Sequence, residues 1–158
     1  MGKTTETKHI EKILWRHTQK MGTFGCFEVS IGFGDEYRNG VERVDYISYN
    51  TKGEFRCYEI KTSMSDFKSK AKKTFLGHYN YFVMTPELYK EINEKDKWLI
   101  SPGIGVITIS NDSNSAFCVS KPSKKQVSYG MSATLLESMV RSLHRETAKF
   151  YRNDGYWS

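Results

Sequence analysis

The chain of 158 residues carries 24 Lys and Arg against 18 Asp and Glu, a net charge of +6, and is 38% hydrophobic, 27% charged and 14% aromatic. Those proportions exclude a disordered or fibrous chain, and a chain of this size buries roughly 70% of its unfolded surface in one core without disulfide or metal staples. No apolar run reaches membrane-span length and Met1 to Lys8 lacks the apolar centre of a signal peptide, so the expectation is one cytoplasmic domain with no membrane partner.

Ile10, Ile13, Leu14 and Met21, with His17 among them, recur at helical spacing and predict a first helix from Thr5, stopped at Gly22. Phe24 to Ile31 alternates as a strand, and Gly32 to Gly40 reads as a loop. Val41 to Tyr49 and Glu54 to Thr62 are strand-like and are separated by Asn50-Thr51-Lys52-Gly53. That spacer predicts a hairpin: Thr51 and Lys52 in a type I turn, Gly53 in the left-handed position, and Asn50 facing Glu54. Ser63 with Asp66 forms a partial capping signal for a helix running to about Thr74. A strand over His78 to Met84, a helix from Pro86 to about Glu94 and a strand pair (Ile104 to Ser110, Ala116 to Ser120) follow. Last comes a helix over Ser132 to Arg152, with Leu136, Met139, Val140, Leu143, Phe150 and Tyr151 as a stripe that is either core packing or a dimer face. The order predicts a single α/β domain, a central mixed sheet flanked by helices and closed by a C-terminal helix.

Cys26, Cys57 and Cys118 are odd in number, and none stands at metal-ligand spacing from another cysteine or from a histidine. Each lies in an apolar run and reads as a reduced core residue. The motifs of dinucleotide-binding folds, phosphate-loop ATPases, serine hydrolases and HExxH metalloproteases are absent, so no nucleotide cofactor is expected. The basic balance favours an anionic partner, nucleic acid ahead of a membrane surface.

The chemistry concentrates in Asp45 and the triplet Glu59-Ile60-Lys61. An acid-x-Lys triplet occurs three times, starting at Glu6, Glu59 and Asp66, but only the Glu59 copy closes an apolar strand that follows another strand bearing an acid. Strand alternation puts Glu59 and Lys61 on one face. The hairpin register puts Asp45 directly across from Glu59, with Cβ atoms roughly 5 Å apart. Facing carboxylates repel unless a cation lies between them. A hard divalent ion takes oxygen ligands of this kind and can polarise a phosphoryl oxygen, while an adjacent ammonium orients water or offsets developing charge. The alternative is a solvated sheet face on which Lys61 offsets the two acids.

Asp45, Glu59 and Lys61 resemble the motif of the PD-(D/E)XK nuclease superfamily, with Val44 where the motif has Pro. Within it the segment from Glu28 to Ile107 is similar to the MmcB-like DNA-repair branch. The pieces that carry the likeness are Glu28, Arg43-Val44-Asp45, Glu59 to Ser63, Asp66-Phe67, the Tyr-rich strand before Pro86, and Gly103-Ile104-Gly105-Val106. The resemblance implies a restriction-endonuclease-like core and a Mg²⁺ or Mn²⁺ ion held by Asp45, Glu59 and the carbonyl of Ile60. It further implies Glu28, or else Glu11 from the first helix, as an additional acid, and phosphodiester hydrolysis in DNA with Lys61 positioning the water. Ser63, Lys68, Lys70, Lys72 and Lys73 on the following helix would then contact the DNA backbone, against the alternative of a solvated helix face. Repair, recombination or phage DNA processing would be the setting. Since one active site cuts one strand, a cutter of duplexes would work as a two-fold homodimer. Two other classes stay open: a non-catalytic nucleic-acid-binding module on the same fold, and an interaction protein working through its C-terminal stripe.

Overall fold

Each predicted helix and strand has a counterpart in the computed structural model, which describes residues 2–32, 42–69 and 75–158; the predicted loop lies, beyond Gly32, outside the described residues. Helix α1 (Thr5–His17) leads into strands β1 (Thr23–Ser30), β2 (Arg43–Asn50) and β3 (Phe55–Ile60). The short helix α2 (Met64–Phe67), β4 (Tyr79–Met84) and α3 (Pro86–Asp96) follow, with a single 3₁₀ turn at Lys97–Leu99. Strands β5 (Gly105–Ile109) and β6 (Ala116–Ser120) precede α4 (Tyr129–Tyr151) and a last turn of helix that the sequence did not announce, α5 (Asp154–Trp157). The six strands form one sheet in chain order: β1, β2 and β3 antiparallel, β3, β4 and β5 parallel, and β6 antiparallel at the edge. It is a mixed sheet with helices on both faces.

The hairpin between β2 and β3 forms as its turn residues require. Gly53 has φ +78° and its N–H bonds to the Asn50 carbonyl at 2.9 Å, while the Asn50 N–H reaches Glu54 O at 3.1 Å. The register that follows pairs Tyr49 with Phe55 and Tyr46 with Tyr58, as predicted. Helix starts are equally local. Thr4, Ser63, Thr85 and Ser128 each lend a side-chain oxygen to a backbone N–H three residues on.

Packing divides by face. Ile10, Ile13 and Leu14 of α1 cover Tyr46, Tyr58, Ile60, Val83, Ile107 and Ile109. On the opposite face Leu135 and Met139 of α4 cover Cys26, Val29, Val44, Ile47, Phe55 and Cys57. A third cluster joins α2 and α3 to β4 and β5 through Phe67, Leu88, Ile92, Phe82, Met84 and Val106.

Three expectations are corrected here. Helix α1 stops at His17, short of Gly22, because the Thr18 hydroxyl is tied to the hydroxyl of buried Tyr46 at 2.7 Å, and Met21 beyond it is fully exposed. Of the C-terminal stripe only Met139 is core. Leu136, Val140, Leu143, Phe150 and Tyr151 are exposed, and the docked side is Leu135, Ser138, Met139 and Ser142. Hydrogen bonds choose that side, since the Gly32 N–H donates to Ser138 Oγ at 2.9 Å and Arg141 donates to the Gly32 carbonyl at 2.8 Å, and small serines let the helix approach the strand end. Finally, Cys26 and Cys57 are buried but Cys118 is exposed, because β6 is an edge strand that no helix covers across Phe117, Cys118 and Val119. No helix among the described residues is long and apolar enough to cross a membrane.

Candidate functional site

The β1–β2 ladder pairs Phe27 with Tyr46 and Val29 with Val44, leaving Glu28 and Asp45 as the step between. Glu28 has φ +53°, a left-handed conformation that costs a non-glycine residue roughly 1–2 kcal/mol. The effect reaches beyond one residue. In a regular strand Phe27 and Val29 would share a face, as would Tyr46 and Val44. Here Phe27 and Tyr46 pack on the α1 side while Val29 and Val44 pack on the α4 side. Alternation therefore skips one step in both strands at this pair, and Asp45 is turned toward the N-terminal end of α1.

Across the other edge of β2 the ladder ends at Tyr46 and Tyr58, and the next link is made by a side chain: the Ile60 N–H donates to Asp45 Oδ2 at 2.8 Å. The Asp45 carboxyl also hydrogen-bonds to Glu59. Glu28, Asp45 and Glu59 thus form a row across three strands, and the predicted meeting of Asp45 with Glu59 is made. The solvated-face alternative fails, because Glu59 and Lys61 are only 4% and 5% exposed. Lys61 pairs with Asp66 at 3.8 Å, its N–H is fixed to Val83 O, and its charge acts on Asp45. For Ile60, the group seen engaged with Asp45 is the N–H, whereas the resemblance implies a role for the carbonyl.

A cavity of about 140 Å³ is lined by Glu11, Glu28, Asp45 and Asp66, with Thr7, Ile60, Thr62 and Lys3, while Glu59 and Lys61 are buried and take no part in its lining. Both acids weighed for the additional position are present, Glu11 from α1 and Glu28 from β1. They share one cation: Lys3 Nζ lies 2.6 Å from Glu11 and 3.1 Å from Glu28, while Arg43 reaches Glu28 from outside at 2.6 Å. Lys3 and Asp66 are the members that sequence reasoning missed. Asp66 was legible as a capping acid and as a piece of the family likeness, but not as a member of the site; it accepts the Thr62 N–H at 3.1 Å while its own N–H goes to Ser63 Oγ at 3.0 Å. Nothing local marks Lys3, whose role depends on the chain before α1 lying against Phe27 and Glu28 of β1.

The electrostatics follow the geometry. Burial raises the pKa of Asp45 above the ordinary carboxylate range, against the Ile60 N–H, the Glu59 hydrogen bond and the Lys61 charge, and Asp66 adds to the rise. Partial burial also opposes ionisation of Glu28, but the Lys3 hydrogen bond and the charges of Arg43 and Lys3 outweigh it and lower the pKa. Lys3 loses some solvation and yet is held more firmly protonated by Glu11 and Glu28. The donors are carboxylate oxygens, the kind that a hard divalent ion takes. Among the described residues no three acidic, histidine or cysteine side chains are arranged to hold a metal ion as they stand. The fit is therefore one of donor chemistry and sign, with the Lys3 ammonium standing among the acids.

The helix predicted to run to about Thr74 is shorter than expected: α2 ends at Phe67, where the chain turns at Lys68. Ser63 is the N-cap of α2, and Lys68 follows its last residue, Phe67, as the C-cap. Lys70, Lys72 and Lys73 lie outside the described residues.

No known family matches the sequence, and no curated protein does. Among solved structures the chain is similar to a protein of unknown function from Silicibacter pomeroyi, with a TM-score of 0.73 and 17% identity over 98% of this chain and 97% of that one. At that identity the likeness shows the fold alone.

Proposed function

We propose that the chain is a metal-dependent DNA endonuclease on a restriction-endonuclease-like core, as the PD-(D/E)XK resemblance implies. The observation that carries the reading is the joining of Asp45, Glu59 and Lys61, with Glu28 and Glu11, around one end of the sheet. A fold gains nothing from bringing acids together in a partly buried row, since each raises the cost of ionising the next. Asp45 and Glu59, supported by Glu28 or Glu11, would hold a Mg²⁺ or Mn²⁺ ion. When bound, that ion would supply charge neutralisation at a phosphate oxygen and a more acidic water. The chain's own contribution is positional. Ile60 N–H and Glu59 fix the Asp45 carboxyl, and Asp66 steadies the buried Lys61 ammonium where it can orient a water toward a phosphodiester.

One observation favours the second reading, a non-catalytic nucleic-acid-binding module. Lys3 already neutralises Glu11 and Glu28, as a scaffold without a metal would require. Calorimetric titration with Mg²⁺ and Mn²⁺ separates the two, run beside cleavage of labelled single-stranded, duplex, flapped and four-way DNA. The nuclease reading expects saturable binding and cleavage by the wild type, both abolished by Asp45→Asn or Glu59→Gln, and tighter ion binding by Lys3→Gln. A wild type that binds DNA but neither ion, with Lys3→Gln no better, establishes the binding module. The same preparations give the oligomeric state on DNA, where a duplex cutter is expected as a two-fold dimer.

A further inference from the structure

Helix α1 ends over a second cavity of about 310 Å³ at the opposite end of the same sheet face, where β3 begins. Arg56 at one end of β3 and Ile60 at the other are separated by about 13 Å of strand, so the two cavities are distinct. Their charge is opposite. The first is lined by four acids, whereas His17, Lys20 and Arg56 border the second and, among the described residues, no carboxylate lines it.

The cations of this cavity are largely unspent. Among the described residues neither Lys20 nor His17 makes an ion pair with an acid, in contrast to Lys3 in the first cavity. The acid nearest Arg56 is Glu54 at 3.9 Å, and that carboxylate is already held by Asn50 Nδ2 at 3.0 Å and by Lys124 at 3.3 Å. Arg56 instead lies over the Tyr79 ring at 4.5 Å and bonds to the Tyr81 hydroxyl, which fixes the guanidinium on the cavity wall. Burial and the Lys20 charge together lower the pKa of His17, as expected where positive groups crowd without a counterion. Ser48, Asn50 and Thr23 add neutral hydrogen-bonding groups. Tyr58 and Tyr81 are stacked, with ring centroids 5.0 Å apart and 9° between planes, and give the cavity an aromatic side.

We propose that this cavity binds a phosphate monoester carried on a nucleoside, the phosphate meeting Arg56 and Lys20 and the base lying against the tyrosine wall. Doubly charged phosphate suits a fork of guanidinium and ammonium with no acid to compete, and every base presents a face that an aromatic ring can stack on. The volume suits one nucleotide. Two sources share this chemistry, a free 5′-mononucleotide and the 5′-phosphorylated end of a DNA strand. The proposal does not depend on metal binding or on cleavage.

The test is calorimetry with the full chain in the presence of EDTA. The titrants are inorganic phosphate, a 5′-mononucleotide and a short oligonucleotide with either a 5′-phosphate or a 5′-hydroxyl, with sodium chloride at matched ionic strength as control. Saturable binding of phosphate, tighter binding of the mononucleotide, and no response to chloride are expected. Arg56→Gln should weaken mononucleotide binding about tenfold, the value of one charge-assisted hydrogen bond. Lys20→Gln, at an exposed position where folding is not at stake, should weaken it several-fold. Asp45→Asn should leave it unchanged, which separates this site from the acidic cavity. A preference for the 5′-phosphorylated oligonucleotide over its 5′-hydroxyl counterpart assigns the site to strand ends, and binding of the mononucleotide alone assigns it to the free ligand. No saturable binding of phosphate or mononucleotide at millimolar concentration, or equal binding by wild type and Lys20→Gln, overturns the proposal.

Discussion

Asp45 holds a carboxyl where burial disfavours its charge, and its pKa is raised despite the Ile60 N–H, the Glu59 hydrogen bond and the Lys61 charge. A carboxyl whose folded pKa exceeds its unfolded value of about 3.9 stabilises the fold while protonated. That contribution is complete below the unfolded pKa and is lost as pH rises through the folded one. Asp45→Asn removes the loss, so its advantage in Tm over the wild type should grow from about pH 4 toward pH 7 when divalent ions are absent. Glu28, with its lowered pKa, has the opposite sign: it stabilises above its unfolded value and loses that contribution only as pH falls through the folded one, outside this window. Thermal denaturation of both proteins across the range measures the difference, and a gap that does not change with pH refutes the account. Lys61 carries a separate prediction. Its ion-pair partner Asp66 has a side chain 41% exposed, and Asp45 keeps the Ile60 N–H and the Glu59 hydrogen bond, so the fold should survive Lys61→Ala at some cost in stability. Divalent-ion affinity should be kept or raised, because a nearby positive charge is gone, while single-turnover cleavage falls on the order of 100–1000-fold. If metal binding and the fold disappear together, Lys61 serves structure and the proposed role is lost.

Among the elements, β1 shows most directly how the site is built into the backbone. The left-handed φ of Glu28 is where alternation skips, and the skip turns Asp45 toward α1. In an ordinary strand position valine is favoured over glycine. At position 28 the order should reverse. A β-branched residue at φ +53° is strained whereas glycine is not, so Glu28→Gly should exceed Glu28→Val in stability by about 1 kcal/mol or more. Neither variant can form the ion pairs with Lys3 and Arg43, so the comparison isolates the backbone. Urea denaturation of the two reads it out, and a more stable valine variant would show that the strand is regular in solution. Helix α4 makes the complementary point. Its most apolar stripe faces outward while Ser138 and Ser142 face the sheet, because the end of β1 offers Gly32 backbone groups that need partners.

Charge is the property that belongs to the whole molecule. An excess of six positive charges favours a polyanion in general, yet the structure separates it into an acidic cavity at one end of α1 and a cationic cavity at the other. Lys68 is the C-cap of α2, and Lys72 and Lys73 follow it in the sequence. Replacing Lys68, Lys72 and Lys73 together with Gln should weaken DNA binding and flatten its salt dependence by roughly one unit of logarithmic slope for each phosphate no longer neutralised. Fluorescence anisotropy at several salt concentrations measures that slope. An unchanged slope assigns these lysines to a solvated face and leaves affinity to other cations of the molecule.

What the sequence determined by itself is what short-range physics controls. Asn50 to Gly53 can close only a narrow set of turns, and that turn fixed the register that brings Asp45 to Glu59, so the centre of the candidate site was legible from one spacer and two strands. Caps at Thr85 and Ser63 were legible for the same reason, since donor and acceptor lie three residues apart. The positive φ of Glu28 had no such signal, because glycine rather than glutamate marks that conformation in a sequence. Lys3 joins Glu11 and Glu28 only because the chain just before α1 packs beside β1, a long-range arrangement that no local pattern encodes. The outward stripe of α4 and the exposure of Cys118 were likewise decided by which surfaces tertiary packing covers: periodicity marks an apolar face, and only a neighbouring element buries it.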